Sequence, residues 1–214
     1  MNDENIFEKE DYRGYKIKLI QDDNALNPRT DWDNWTHMIC FHPRYDLGDK
    51  HEMTVEELKE IVKRKDVIAL PLYILDHSGL WMRTGRFAED YGGWDTSMVG
   101  YIYCTFEEIR KNMGRPKHTE KNPNAFVGIN HIMKVDRQHA ISLMEGEVET
   151  FSDYLEGNVC GFVVEDDDGE HVDSCWGFYG TEGQKEAMSE AKGIVDGLAD
   201  ERDQYNESQA VAMC

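Results

Sequence analysis

Two pairs of strand-like segments, each joined by a short turn, constrain the fold of this chain more than any other feature. The clearer pair is NVCGFVVEDDDGEHVDSCWGF, in which two β-rich runs flank the dipeptide Asp168-Gly169. The other pair is DVIALPLYIL and LWMRT, which are separated by the turn-forming residues DHSG. Strands joined by so short a connection must pair antiparallel, so this pattern favours hairpins over βαβ units.

Helical signals lie between and after these strands. Thr54 and Thr105 each precede a glutamate by three residues, the capping-box spacing that marks a helix start. Residues 131–157 carry apolar side chains at helical spacing, and an acidic helix ends the chain. Because the elements do not alternate strictly, we predict an α+β fold with a mixed, largely antiparallel sheet, two or three flanking helices and an acidic C-terminal helix.

The length of the chain suits one domain. With 214 residues, 40% of them hydrophobic, it can bury a substantial core, and we predict a single α+β domain over residues 1–214. Residues 115–125 contain two prolines and no apolar period, so they are the candidate for a mobile loop or an internal boundary. The acidic C-terminal segment is expected over residues 182–214.

The expected location is the host cytoplasm. The N-terminus MNDENIFEKEDYRG has neither a basic flank nor an apolar core of the secretory type. No apolar run approaches the ~18 residues that a membrane span needs. The five cysteines show no CxxC spacing, which is typical of reduced thiols. We therefore expect a soluble protein without membrane contact.

Charge is the most informative property of the composition. The formal net charge is -20, and from residue 145 onward 19 acidic side chains face only three basic ones. So strong a field exceeds what solubility requires and costs self-repulsion in the folded state. It predicts a basic protein partner and argues against direct contact with nucleic acid.

A surface that imitates the phosphate backbone is the first candidate site. DNA carries one negative charge per about 1.7 Å of helix axis, and a mimic must present carboxylates in a comparable row. The carboxylates of the last hairpin and of the final helix could form such a stripe: Glu165, Asp166, Asp167, Asp168, Glu170, Glu182, Glu186 and Glu190. The last three recur every four residues and so share one helical face. The alternative is a solvated turn and helix face that only keep the protein soluble.

An exposed aromatic residue could add to such a contact. Trp94, in a glycine-rich loop between strands, is the candidate for an exposed binding residue. The alternative is a loop anchor that packs back on the sheet. Trp176 lies in a strand-like segment and is expected in the core.

Histidines and aspartates in two loops allow a competing interpretation as a metal site. His42, Asp46, Asp49 and His51 follow a strand within ten residues, and Asp76 with His77 could join them from the next hairpin. Such a set could hold zinc or a harder divalent ion and activate water. However, the spacing matches no established ligand signature, so the metal site remains an alternative.

A nucleophilic enzyme is a second alternative. His77 could act as the base for Ser78, or a cysteine could use a distant histidine. Adjacent residues of a turn usually point apart, which favours turn chemistry over catalysis for Asp76–Gly79. No GxSxG elbow and no phosphate-binding glycine loop occurs in the sequence. We therefore predict no cofactor and favour a protein that is not an enzyme.

Four segments carry a resemblance to a family. LPLYILDHSGLWM, WDTSMVGYIY, TFSDYLEGNVCGFVV and DSCWGFYG resemble hypothetical proteins of phages, prophages and conjugative elements in gut and Gram-positive bacteria. The resemblance spans residues 15–180, leaves out the acidic tail and brings no catalytic motif. It implies a gene neighbourhood that often contains anti-restriction and anti-CRISPR genes.

These observations together favour a non-catalytic accessory protein of a mobile element. We expect an anti-defence inhibitor that binds a host nuclease, or another basic nucleic-acid-binding protein, stoichiometrically through a DNA-mimic-like surface. The alternatives are a small hydrolase or metal-dependent enzyme built on the loop histidines and aspartates, and a scaffold protein whose charge serves solubility alone.

Overall fold

A computed structural model describes residues 5–88, 95–114, 132 and 134–212. These residues form eight strands and four helices, in the order β1 (Ile6–Tyr12), β2 (Tyr15–Gln21), β3 (His37–Cys40), α1 (Val55–Val62), β4 (Val67–Asp76), β5 (Leu80–Arg83), β6 (Thr96–Thr105), α2 (Phe106–Asn112), α3 (Lys134–Glu156), β7 (Val159–Glu165), β8 (His171–Tyr179) and α4 (Gly180–Ala212). Every pairing between these strands is antiparallel. The predicted α+β class, the antiparallel pairing and the C-terminal helix are confirmed, but the strands form two sheets rather than one.

The chain divides into two compact units. The terminal unit comprises Met1–Leu26 and Gly157–Cys214, and the central unit comprises Asn27–Glu156. Each unit has its own four-stranded sheet and its own buried apolar cluster. The single domain remains a prediction, because two compact units can belong to one domain. Residues 115–125, the predicted loop or boundary, lie outside the described residues.

The terminal unit is a sheet covered on one face by α4. Its strand order is β1-β2-β7-β8, so strands from the two ends of the chain meet at the β2–β7 pair. Alternate residues of these two strands form the buried face, as the period of a strand requires: Ile17, Leu19, Cys160, Phe162 and Val164. Helix α4 meets this face with residues four apart, most of them small: Ala187, Ala191, Val195 and Ala199. Small side chains let the helix approach the sheet closely.

The β1–β2 hairpin is fastened to α4 by one arginine. Arg13 and Gly14 form its turn, both with positive φ, at 49° and 82°. The Arg13 guanidinium donates to the carboxylates of Asp196 and Asp200 at 2.8 and 2.7 Å and lies 3.7 Å from Asp203. Strand β1 was not predicted, because the segment IFEKEDY is mostly charged and lies at the edge of its sheet.

The central unit has the strand order β3-β6-β4-β5. Helix α3 packs against β5, β4 and β6, and its residues Met144 and Phe151 are buried with Leu72 and Ile102 of the sheet. A smaller cluster joins Leu58 of α1 to Ile39, Val67 and Tyr103 of the sheet. Because the two clusters draw on neighbouring residues of the same strands, both faces of this sheet contribute to a core.

Local signals at the helix ends are confirmed. The capping boxes predicted at Thr54 and Thr105 are both formed, each with its glutamate at the third helical position. Gly114 and Gly157 follow α2 and α3 with φ of 62° and 72°, which only glycine adopts without strain. None of the described helices combines the length and the apolar composition that crossing a bilayer would require.

A buried arginine connects the loops of the central unit to α3. The side chain of Arg29 is 1% exposed and pairs with Asp49 at 2.8 Å and Glu147 at 2.5 Å. It also donates to the carbonyl oxygen of Thr36 at 3.0 Å, and the Thr36 hydroxyl donates to Glu147. Asp49 in turn accepts the backbone N–H of Met38 in β3 at 2.8 Å. The network therefore holds three separate chain segments together.

A histidine–glutamate pair joins β3 to α2. His37 Nε2 lies 2.7 Å from a carboxylate oxygen of Glu108, the capping-box residue of α2. The hydrogen bond to Glu108 raises the pKa of His37. Burial alone would raise the pKa of Glu108, but hydrogen bonds from His37 and Thr105 outweigh it and lower the pKa to about 2. The two groups are thus both charged over the pH range between their ordinary values.

Replacing Arg29 with methionine should destabilise the protein strongly. The substitution leaves the partly buried carboxylates of Asp49 and Glu147 without their buried counter-ion, a loss that costs up to about 3–5 kcal/mol for a fully buried pair. Urea unfolding with an unchanged m-value measures the loss. The matched control is Arg44→Met, since Arg44 pairs with Asp76 at the surface, where its side chain is 67% exposed. The control should lose less than about 1 kcal/mol, and an equal loss in both variants would contradict the role of the network.

The pair between His37 and Glu108 should make stability depend on pH. Because the pKa of His37 is raised above 6.5, its contribution is complete below that pH and is lost as the pH rises through the folded-state value. Because the pKa of Glu108 is lowered from 4.5 to about 2, its contribution is complete above pH 4.5 and is lost in acid. The difference in unfolding free energy between wild type and His37→Gln should therefore be largest between these limits. A difference that stays constant up to pH 9 would show that the pair is energetically silent.

Candidate functional site

The predicted acidic residues occupy two places in the terminal unit. Glu165 ends β7, and Asp166, Asp167, Asp168 and Glu170 form the connection to β8. Three others lie on the first turns of α4: Glu182, Glu186 and Glu190. The two groups differ in how far their carboxylates are already engaged.

Part of the hairpin group serves the fold. Glu165 accepts a hydrogen bond from Lys18 Nζ of β2 at 2.5 Å. The carboxylate of Asp166 accepts the backbone N–H groups of Asp168 and Glu170 at 3.0 and 2.9 Å, which fixes the turn. Asp167, Asp168 and Glu170 are exposed and form no ion pair with another described residue. These three residues are called the turn patch below.

The helix group is more available for a partner. Glu182, Glu186 and Glu190 are exposed along one face of α4, away from the buried Ala187 and Ala191. Glu182 pairs with Lys185 at 2.5 Å on the surface. Within the described part of the chain, Glu186 and Glu190 have no ion-pair partner. These three glutamates are called the helix patch below.

The helix patch begins at the end of the terminal unit that is remote from the turn patch. Helix α4 begins where β8 ends, and Gln184 in its second turn bonds Asn158 at the start of β7, the end remote from Glu165. The helix reaches Arg13 only at Asp196, about 21 Å further along its axis than Glu182. Since the Arg13 turn adjoins the paired residues Lys16 and Glu165, it marks the end with the turn patch.

The predicted acidic residues thus belong to two groups on different elements, and one continuous stripe remains a prediction. Strand β8, about 30 Å long for nine residues, carries the chain from the turn patch to the start of α4, and Glu190 lies about 12 Å back along the helix from Glu182. The charge itself remains concentrated, because the terminal unit carries 21 acidic and 7 basic side chains, a net -14 of the chain's -20. The structure thus provides two acidic groups on different elements of one strongly negative unit.

Predictions on the tryptophans have different outcomes. Trp94 lies outside the described residues, so its exposure stays a prediction. Trp176, expected in the core, is 45% exposed, because β8 is an edge strand of its sheet. Its ring lies over Gly161 of β7, where a Cβ atom would come within 2.3 Å of the indole. The exposed indole is a surface feature that sequence periodicity missed.

The loop residues of the alternative metal site are engaged with other groups. His42 Nδ1 accepts the backbone N–H groups of Arg44 and Tyr45 at 3.3 and 3.1 Å. Asp49 serves the Arg29 network, and Asp76 accepts from Arg44 at 2.5 Å and from the Tyr45 hydroxyl at 3.1 Å. Among the described residues, no group of three or more His, Cys, Asp or Glu side chains is arranged to hold a metal ion. His42, Asp46, His51 and Asp76 are therefore not brought together as ligands.

The alternative nucleophile is part of a hairpin turn. Ser78 has a φ of 53°, and its hydroxyl donates to the carbonyl oxygen of His77 at 2.7 Å. The imidazole of His77 points instead to Asp95, with Nδ1 3.1 Å from the carboxylate. The hydroxyl and the imidazole are not hydrogen-bonded to each other, so the pair lacks the contact of a nucleophile and its base. Residues Asp76–Gly79 connect β4 to β5, as turn chemistry predicted.

The buried cysteines are also poor nucleophiles. Burial raises the pKa of the Cys40 and Cys104 thiols to about 12 and that of Cys160 to about 11. Thiols with such values stay protonated near neutral pH, whereas a catalytic cysteine needs a lowered pKa. The described cysteines form no disulfide with one another.

A concave surface that the sequence did not reveal lies between Cys40 and His51. This loop pocket, as it is called below, has a volume of about 590 Å³, and its lining includes His42, Tyr45, Asp46 and His51. Two turn contacts, of His42 with Tyr45 and of Asp49 with Met38, fold the loop back on itself. The local signal is the density of aromatic, histidine and aspartate residues in FHPRYDLGDKH, of which the metal interpretation uses only the histidines and aspartates.

Substitution of Ser78 by glycine should leave the protein intact or slightly more stable. The residue has a left-handed backbone, which costs a non-glycine residue roughly 1–2 kcal/mol and glycine almost nothing. Ser78→Val should lower the free energy of unfolding, since a β-branched residue fits this conformation worst. Chemical denaturation of the two variants measures both effects. A glycine variant that is markedly less stable would show that the hydroxyl does more than complete a turn.

Comparison with known proteins adds no relative. No protein-family model, no curated protein and no solved structure matches this chain. Function must therefore be inferred from the residues themselves and from the contacts that they make in the two units.

Proposed function

We propose that this chain is a non-catalytic accessory protein of a mobile element that inhibits a host defence nuclease by binding it stoichiometrically in the cytoplasm. The contact is made by the helix patch of the terminal unit. The observation that carries the proposal is the concentration of a net -14 in this unit, together with exposed carboxylates on α4 that lack partners among the described residues. The partner is a basic protein whose groove normally binds nucleic acid.

The spacing of the helix patch supports an electrostatic contact with a basic groove. Residues four apart on a helix are separated by about 6 Å along its axis. One DNA strand carries a charge about every 3.4 Å, so the patch has roughly half the linear charge density of a strand. Three such carboxylates can engage about three lysine or arginine side chains. The helix patch can thus select a basic partner and speed its association, but tight binding requires further contacts.

The contacts of the loop residues favour a binding protein over an enzyme. His42, Asp76 and Ser78 are engaged with turns and neighbouring side chains rather than with one another. The resemblance to hypothetical proteins of mobile elements is the reason for choosing a restriction or CRISPR nuclease among basic partners. A scaffold protein whose charge serves only solubility is the competing interpretation, and binding measurements separate the two.

Neutralising the helix patch should weaken inhibition strongly, while neutralising the turn patch should not. The first variant is Glu182→Gln/Glu186→Gln/Glu190→Gln, and the matched control is Asp167→Asn/Asp168→Asn/Glu170→Gln. Both remove three negative charges, and Asp166 is kept because it fixes the turn. Three exposed ion pairs contribute up to about 1 kcal/mol each, so the first variant should bind about 10- to 100-fold more weakly. The control should change affinity less than threefold.

The assay uses a panel of purified nucleases from restriction and CRISPR systems, with DNA cleavage and direct binding as readouts. For a nuclease that wild type inhibits, DNA should compete with the protein. Affinity should also fall at least about tenfold between 50 and 200 mM salt. An equal loss in both variants would indicate a response to total charge rather than to the helix patch. Affinity that is insensitive to salt and to both variants would refute the acidic contact, and inhibition of no nuclease would favour the scaffold.

A further inference from the structure

Strand β1, at the edge of the terminal sheet, contributes little to the buried core of its unit. None of its seven described residues is buried, and Phe7 is 43% exposed. Within the described part of the chain, Tyr12 alone of β1 packs against the apolar cluster under α4. The neighbouring strand β2, in contrast, places Ile17 and Leu19 fully inside that cluster. Since burial of apolar side chains is the main source of local stability, β1 must be held by other contacts.

The backbone pairing of β1 is also limited to one side. Among the described strands it pairs only with β2, and the register of this pairing shifts between Ile6 and Glu8. Strands β2 and β7 each have a paired strand on both sides. Strand β1 can therefore separate from the sheet without breaking the hydrogen bonds between β2 and β7.

Side chains at the end of β1 and in the following turn attach the hairpin to α4 through charge. Lys192 Nζ lies 2.8 Å from the carboxylate of Glu10 and 5.5 Å from the centre of the Tyr12 ring. The Tyr12 hydroxyl donates to Asp196 at 3.1 Å, beside the ion pairs of Arg13 described above. This group of contacts is called the latch: Glu10, Tyr12 and Arg13 on the hairpin, and Lys192, Asp196, Asp200 and Asp203 on α4.

The latch is accessible to water and ions. The side chains of Arg13 and Lys192 are 33% and 34% exposed, and that of Asp200 is 63% exposed. Ion pairs at such sites are weak and are screened by salt. The Debye length falls from about 10 Å at 0.1 M ionic strength to about 3 Å at 1 M, which is close to the separation of the paired atoms. The strength of the latch must therefore depend on ionic strength.

We propose that β1 is a strap that the latch holds closed, and that salt opens it while β2, β7, β8 and α4 stay folded. Opening exposes the edge of β2 and releases three carboxylates on α4, those of Asp196, Asp200 and Asp203. By linkage, a basic ligand that binds these carboxylates also favours the open state. The inference does not depend on inhibition of a nuclease, because its observations concern only contacts between the hairpin and α4.

Salt should act in different ways on the strap and on the rest of the unit. The chain carries a net charge of -20, so salt screens its self-repulsion and should maintain or increase its global stability. The latch joins unlike charges at short distance, and the same salt should weaken it. A salt step thus distinguishes opening of the strap from unfolding of the whole protein.

The test is hydrogen exchange of the whole protein in 0.1 M and 1 M KCl, at one pH and one temperature. Each exposed ion pair changes an equilibrium constant up to about fivefold, and the latch contains several. The β1 amides that bond β2 should therefore exchange at least about fivefold faster in 1 M KCl. The amides of β7 should exchange no faster. Unchanged or slower exchange in β1, or equal acceleration in both strands, would overturn the proposal.

A matched pair of variants tests the latch directly. Arg13→Gln removes the guanidinium but keeps a residue other than glycine at the left-handed turn position, so the backbone strain is unchanged. In 0.1 M KCl it should accelerate exchange in β1 at least about fivefold and leave β7 unchanged. The control is Lys16→Gln, since Lys16 is exposed in the same hairpin and has no ion-pair partner among the described residues. It should change exchange in β1 less than twofold.

Equal effects of the two variants would show that β1 responds to total charge and would overturn the latch. Exchange in β1 that is unaffected by Arg13→Gln would do the same. The salt series on the wild-type protein decides the question even if Arg13→Gln does not fold.

Discussion

The terminal unit depends on the pairing of β2 with β7. These strands join in register over six residue pairs, from Lys16 with Glu165 to Gln21 with Cys160, although more than 130 residues of chain lie between them. Closing so long a loop costs entropy before any contact is gained, and the buried face of the two strands with α4 offsets that cost. The pairing also places the basic side chains of the N-terminal hairpin against the acidic C-terminal part. Neither end of the chain would form this sheet without the other.

The features that could be predicted are those that short segments determine. The capping boxes at Thr54 and Thr105 and the two hairpins are all encoded within a few residues, and the structure confirms them. Pairing over long distances is not encoded in this way, so the division into two sheets was missed. Strand β1 was missed for a related reason, since an edge strand with a charged sequence shows no apolar alternation.

The same distinction applies to the candidate sites. Sequence spacing correctly placed Glu182, Glu186 and Glu190 on one helical face, because that relation is local. Sequence spacing did not show that β8 leads the chain away from the acidic turn, nor that α4 then runs back toward that turn. It also could not show which carboxylates already have partners within the protein, as those of Glu165, Asp166 and Asp196 do. The loop pocket was missed because it forms only where residues 40–51 fold back on themselves in space, which sequence spacing does not show.

The turn at Arg13 illustrates how this acidic chain tolerates its own composition. A glycine or asparagine would relax the backbone there, whereas arginine holds a left-handed conformation at a cost of about 1 kcal/mol. In return, one guanidinium reaches three aspartates that α4 presents on neighbouring turns, and no residue without that charge could do so. The strained backbone at Arg13 is thus offset by the ion pairs that its side chain forms with the aspartates of α4. A lineage that kept the acidic helix would have little freedom to change this single turn residue, however exposed and unremarkable its position looks in the sequence.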